Sequence, residues 1–269
     1  MMKRFFVIAL FVLGLGQLYA QPVRDTAWTK AGYFGLKLTQ VSLSSWSAGG
    51  ESALAFDSQI TYSADFKRDR QLWQNRLELG YGLTKNDGKS ARKTNDKIYF
   101  ASTYGYQIYK TLYWSALLNF NTQFAKGYDY NIEDSDFISK FMAPGYLMIG
   151  TGVTWSPNKI FTATFTPASW RGTIVADSRL SDEGAFGVDK GKHLLSEFGA
   201  NLKAEVNYEF LPNMKVYSRL ELYSNYLKDP QNIDVRWEVQ LNMAINKWFS
   251  TTLSTNLLYD NDVKIRIGR

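Results

Sequence analysis

The chain of 269 residues contains no cysteine and a single histidine. Zero cysteine excludes a disulfide framework and an acylated cysteine anchor behind a leader peptide. The lone histidine, His193, leaves little for a serine hydrolase, whose nucleophile needs an imidazole within hydrogen-bond reach. Ser196 and Glu197 follow it closely, but a spacing of three puts His193 and Ser196 on opposite faces of a strand. We therefore expect no enzyme, no catalytic residue, no cofactor and no bound metal. Beyond the N-terminus no apolar run is long enough for a transmembrane helix. The formal net charge of +6 is too mild to call for nucleic acid as a partner.

The N-terminus reads as an export signal. Lys3-Arg4 is a basic start, Phe5 to Leu15 an apolar run, and Leu18-Tyr19-Ala20 a cleavage site before Gln21. Residues 1–20 are expected to be the leader and residues 21–269 one barrel domain.

The strongest pattern lies near the C-terminal end. Ile233, Val235, Trp237, Val239, Leu241, Met243 and Ile245 alternate with Asp234, Arg236, Glu238, Gln240 and Asn242. Side chains alternate faces along a strand, so this segment has one apolar and one polar face. After a break at Asn246-Lys247 the alternation resumes through Leu253, Leu257 and Tyr259. The same period recurs from Leu54 to Phe66, Leu77 to Leu83, Ile98 to Ile108, Leu112 to Phe124, Leu147 to Trp155, Ile160 to Thr166, Phe198 to Phe210 and Val216 to Tyr226. A weaker first strand spans Phe34 to Leu43.

A soluble sandwich would alternate too, but three features favour a transmembrane antiparallel up-and-down β-barrel. Many strands exceed the ~9–11 residues that cross a bilayer. Connections alternate between short and long. Short ones fall at Lys67–Gln71, Lys110-Thr111, Ser156–Lys159, Pro212-Asn213 and Asn246-Lys247; long ones fall at Lys85–Asn95, Ala125–Pro144, Pro167–Glu197 and Lys228–Asn232. Outer-membrane barrels have that asymmetry. Trp73, Trp114, Trp155 and Trp248 lie beside the short turns, where an aromatic girdle belongs. The expected count is about 12 strands. Parity leaves the barrel one strand short after Tyr259, so either a closing C-terminal strand is missing or a segment such as Gly172–Ala176 is a further strand.

Further residues carry a family resemblance. They include Trp46-Ser-Ala-Gly49-Gly50, Lys93-Thr-Asn-Asp96-Lys97, Thr122-Gln123-Phe124 with Gly127-Tyr128, and Ser139 through Ala143-Pro144-Gly145-Tyr146. Gly184-Ala-Phe186-Gly187, Asn225-Tyr226, Asn232 through Val235 with Trp237-Glu238, and Tyr259-Asp260-Asn-Asp262 complete the set. Together they resemble the Bacteroidetes family called domain of unknown function 3078, across nearly the whole mature chain. The resemblance implies an exported β-barrel in the outer membrane of a Gram-negative bacterium, and no catalytic residues.

Candidate sites follow from the alternation. A charge near the bilayer midplane costs ~2–4 kcal/mol for arginine or lysine on the lipid face. Asp57, Asp65, Arg76, Glu78, Lys203, Glu205, Glu209, Arg219, Glu221, Asp234, Arg236 and Glu238 are therefore expected to face the lumen. Lys85, Lys89, Arg92 and Lys93, with Lys97, cluster in one external loop and are candidates for the phosphates of lipopolysaccharide. Alternatively they form a solvated charged loop around Asn86-Asp87-Gly88. The acidic stretch Asp129 to Asp136 lacks the glycine and glutamate of a calcium-binding EF-hand loop. Expected surroundings are outer-membrane lipid and an unidentified protein partner. Two functional readings stay open: a narrow porin-like solute channel, and a partner-binding or structural barrel with a filled lumen. An outer-membrane lipid hydrolase rests on His193 alone.

Overall fold

The computed structural model describes residues 27–43, 50–132, 136–244 and 249–259. The leader, Trp46 to Gly49, the Asn246-Lys247 break, Trp248 and all residues past Tyr259 lie outside them.

The alternating segments are long strands: β1 (Trp28–Val41), β2 (Ala53–Arg68), β3 (Gln71–Asn86), β4 (Arg92–Tyr109), β5 (Leu112–Thr122), β6 (Gly127–Tyr128), β7 (Phe137–Ser139), β8 (Gly145–Trp155), β9 (Phe161–Ile174), β10 (Leu194–Leu211), β11 (Met214–Asn225), β12 (Ile233–Ala244) and β13 (Ser250–Tyr259). Eleven of them form one sheet in the order β1-β2-β3-β4-β5-β8-β9-β10-β11-β12-β13, while β6 and β7 make a small hairpin. Every neighbouring pair in the large sheet is antiparallel, as in an up-and-down barrel wall. No pairing joins β1 to β13 among the described residues, and the expected closing strand falls beyond them.

Tight connections gather at one end of the sheet. Asp69 turns β2 into β3 with φ 52°, and Asn213 turns β10 into β11 with φ 64°. Asp and Asn tolerate this left-handed region better than branched residues. The opposite end carries the longer connections, in the expected alternation.

Two loops are shorter than expected. The β3–β4 connection is a turn of residues 87–91, because Lys85 pairs with Leu54 and Arg92 with Thr84 inside the sheet. Lys97, expected in that loop, lies within β4. Strand β9 likewise runs through Pro167 to Ile174, so Arg171 and Glu197 are wall residues. Inward residues are Thr164 and Thr166 before Pro167, but Ser169, Arg171 and Thr173 after it. The one-residue shift in register against β8 and β10 marks a bulge there. Bulges and edges are where a sheet accepts proline, which has no amide hydrogen to give its neighbour.

The β9–β10 loop contains a short helix, α1 (Ser178–Glu183), capped by Asp177, whose carboxylate accepts the Leu180 amide hydrogen. Gly184, with φ 72°, ends the helix in the left-handed conformation. Ala143, Val175, Leu180 and Val188 form a small buried cluster, against which Phe137 and Leu195 pack. Val175 and Leu195 continue the inward-facing positions of β9 and β10. The loop thus folds over the inner side of the rim.

Candidate functional site: the charged interior and its cap

The register puts all the expected lumen residues on one face. Asp57 stands opposite Gly82, Asp65 opposite Gln74, Lys203 opposite Glu221, Glu205 opposite Arg219, and Arg219 in turn opposite Glu238. The other face carries the apolar half of each strand, with Phe34, Ile60, Trp114, Phe165 and Trp237 all exposed. The polar face is the concave one. Tyr99 on β4 lies within electrostatic range of Arg219 and Glu221 on β11, although four strands separate them in the sheet.

Most of the interior charges are paired. On one wall Glu78 binds Arg76 at 2.5 Å and also Lys97. Asp57 accepts a hydrogen bond from Asn95 at 3.1 Å. On the other wall Arg219 contacts Glu238 at 2.6 Å and Glu221 at 4.0 Å, and Arg236 lies 3.8 Å from Glu221. Lys203 sits 3.3 Å from Glu205, which also accepts the Tyr217 hydroxyl at 3.1 Å. Lys215 lies 3.4 Å from Glu209 near the short-turn end.

The tightest unit lies near the loop end. Arg171 donates twice to Glu197, at 2.8 Å each, and once to Asp234 at 3.0 Å. Its guanidinium stacks over the Tyr223 ring with 4.0 Å to the centroid. Asn225 donates to Glu197 at 3.1 Å. Charge-assisted forked bonds of this kind fix geometry as well as charge. Sequence reasoning misses Arg171, Glu197 and Lys97 as lumen residues because it assigns each to a loop. The signal for the first two is the alternation Ser169, Arg171, Thr173, resumed out of phase after Pro167.

Above this unit sits the cap. Lys140 binds Asp177 at 2.5 Å, and Arg179 binds Glu183 at 2.7 Å and the Phe137 carbonyl. The Lys140 ammonium and the Leu180 amide together hold the Asp177 carboxyl below the usual aspartate range. His193 Nδ1 lies 2.7 Å from the Val175 carbonyl, to which it donates. Ser196 instead accepts the indole N–H of Trp170 at 2.6 Å on the apolar face. The structure therefore does not bring His193 and Ser196 together.

The external cations do not form one cluster. Lys89 contacts Glu51 at 2.8 Å, and this pair holds the Glu51 carboxyl below its usual range. Lys93 is largely buried, 2.7 Å from Asp96 and 2.9 Å from the Ala125 carbonyl. Arg92 stacks on Tyr130 at 5.3 Å, and Lys85 is exposed at the rim. Among the described residues no group of His, Cys, Asp and Glu is arranged to hold a metal ion.

The model of the family described as Protein of unknown function (DUF3078) matches residues 38–128. Over that stretch, about a third of its length, the chain is similar to this family. The DUF3078 match covers β2 to β6 with the end of β1, a narrower extent than the near-complete resemblance expected from the motifs. A second model, described as Protein of unknown function, DUF481, matches residues 170–265, which hold Arg171, Glu197, Asp234 and the charged wall. No curated protein matches the chain.

Proposed function

We propose that the chain is an outer-membrane β-barrel whose interior is occluded, and which works through its capped loop end as a docking or structural element. The Arg171–Glu197–Asp234 clamp beneath the α1 cap carries this reading. A conducting lumen needs a continuous aqueous path, whereas here charges from different strands neutralise one another under a folded loop.

The apolar face supports a lipid setting. Three outward indoles give their N–H to a serine on the neighbouring strand: Trp73 to Ser102 at 2.9 Å, Trp170 to Ser196 at 2.6 Å and Trp237 to Ser218 at 3.0 Å. Hydrocarbon offers no acceptor, so such groups must be satisfied within the protein. Outward Ser58 and Thr151 likewise donate to the carbonyls of Tyr81 and Ser115. Trp28, Trp73, Trp114 and Trp155 band the short-turn end, as the aromatic girdle requires.

The test is conductance in planar bilayers. The folded chain is expected to be silent, and the Arg171→Ala, Asp234→Ala double variant to leak. Stable channels from the unaltered protein would replace this reading with the porin-like one.

A further inference from the structure

The apolar face is not uniformly convex. A groove of about 830 Å³ crosses it, with Trp73 and Tyr104 on one side, Trp170 and Phe198 on the other, and Ala116 and Ala168 in its floor. We propose that this groove is a seat for a hydrocarbon chain of a membrane lipid, retained more firmly than the lipid around it. The proposal rests on the membrane-spanning reading above and adds a defined lipid site to it.

The groove is built into the backbone. The bulge at Pro167 kinks β9 beneath it, and the Tyr226 hydroxyl donates to the Pro167 carbonyl at 3.0 Å. A bulge bends its strand and adds local twist. Gly152 and Gly199 flank the bulge on the inner face. A Cβ at Gly152 would lie 2.0 Å from the Phe165 carbonyl oxygen, and one at Gly199 2.0 Å from that of Ser224. The small floor residues then leave the aromatic walls standing above them.

The hydrogen bonding selects the occupant. Ser102 accepts from Trp73 and donates to Asn75 at 2.8 Å; Thr151 donates to the Ser115 carbonyl; the Trp170 N–H is held by Ser196. Of the polar side chains lining the groove, the Gln71 amide and the Tyr104 hydroxyl are left to meet an occupant and the others are already engaged, so a peptide or headgroup would bury most of its own polar atoms without partners there. An acyl chain has none to bury. The groove is also continuous with the apolar belt, so a chain enters it from the surrounding bilayer.

The experiment uses the full chain refolded into phosphatidylethanolamine–phosphatidylglycerol vesicles, extracted in mild detergent and weighed by native mass spectrometry. Unaltered protein is expected to keep one phospholipid. An Ala116→Leu, Ala168→Phe variant, which fills the floor from the outer face, should keep at least tenfold less. Heat-modifiable mobility on gels verifies that it folds. In the same detergent extracts, retained phospholipid brominated along its acyl chain should quench Trp73 and Trp170, read in variants retaining only those two tryptophans, and the filled variant should lose that quenching. Equal retention by both proteins, or none by either, overturns the proposal. So does a dimer that the filled variant abolishes, because the occupant would then be a second copy. Failure to enter vesicles at all would instead defeat the membrane reading beneath it.

Discussion

Arg171 on β9 lies 3.0 Å from Asp234 on β12, reaching past two intervening strands to do so. Contacts between immediate neighbours would occur in a flat sheet as well; this one requires the wall to curl. Glu197, which shares the same guanidinium, has a side chain only 7% exposed. Removing one partner of such a pair leaves a charge without compensation, at a cost of ~3–5 kcal/mol. Arg171→Met should therefore destabilise the barrel by about 3 kcal/mol, near the lower bound because Arg171 keeps part of its surface in solvent. Urea unfolding in lipid vesicles measures it. Adding Glu197→Gln should recover most of the loss, since the stranded charge is then gone. A single-variant loss below about 1 kcal/mol would mean that the carboxylate reaches water.

The Trp237–Ser218 bond tests the other face. In water, Ser218→Ala would cost little, because solvent would accept the indole N–H. Against hydrocarbon the expected coupling in a double-mutant cycle with Trp237→Phe is ~0.6–1.7 kcal/mol. Unfolding of the four proteins in vesicles gives the number. A coupling of zero would put that face in water.

Where alternation is unbroken the residues are legible from sequence alone. Arg236 and Glu238 belong to the interior because Val235, Trp237 and Val239 fix the opposite face. Asp57 and Arg76 follow in the same way, and the register sets all four on the same face of the sheet. Arg171 and Glu197 are not legible because Pro167 reads as a strand breaker, and only pairing on both sides reveals a bulge. Lys89 and Lys93 read as free cations since their partners, Glu51 and Asp96, are set by loop geometry that no period encodes. The cap is similar: a small cluster of Ala143, Val175, Leu180 and Val188 is drawn from scattered positions.

The cap should loosen in acid. Asp177 has its carboxyl held below the normal value by Lys140 and the Leu180 amide. A depressed folded value means that its stabilisation is complete above the unfolded value of ~3.9 and is lost as pH falls through the folded one. Protection from hydrogen exchange across residues 175–193, relative to the intrinsic rate at each pH, should therefore fall below about pH 4. Asp177→Asn should be less protected at neutral pH and should flatten this dependence. An unchanged profile in Asp177→Asn would assign the acid response to other carboxylates.

Two glycines separate steric from conformational demand. Gly88 has φ +69°, and a Cβ added there would meet nothing within 4 Å, so alanine encounters only backbone strain. Gly88→Ala should fold and lose about 1 kcal/mol. Gly199 has no such φ, but its Cβ would fall 2.0 Å from the Ser224 carbonyl oxygen, within the β10–β11 ladder that holds Asn225 beside Glu197. That oxygen is backbone and cannot swing aside as a side chain would. Gly199→Ala should therefore force the strands apart and abolish the heat-modifiable folded band on gels, while Gly88→Ala retains it. If Gly199→Ala folds normally, the close approach of β10 to β11 is not needed, and the bulge beside it must absorb the extra methyl.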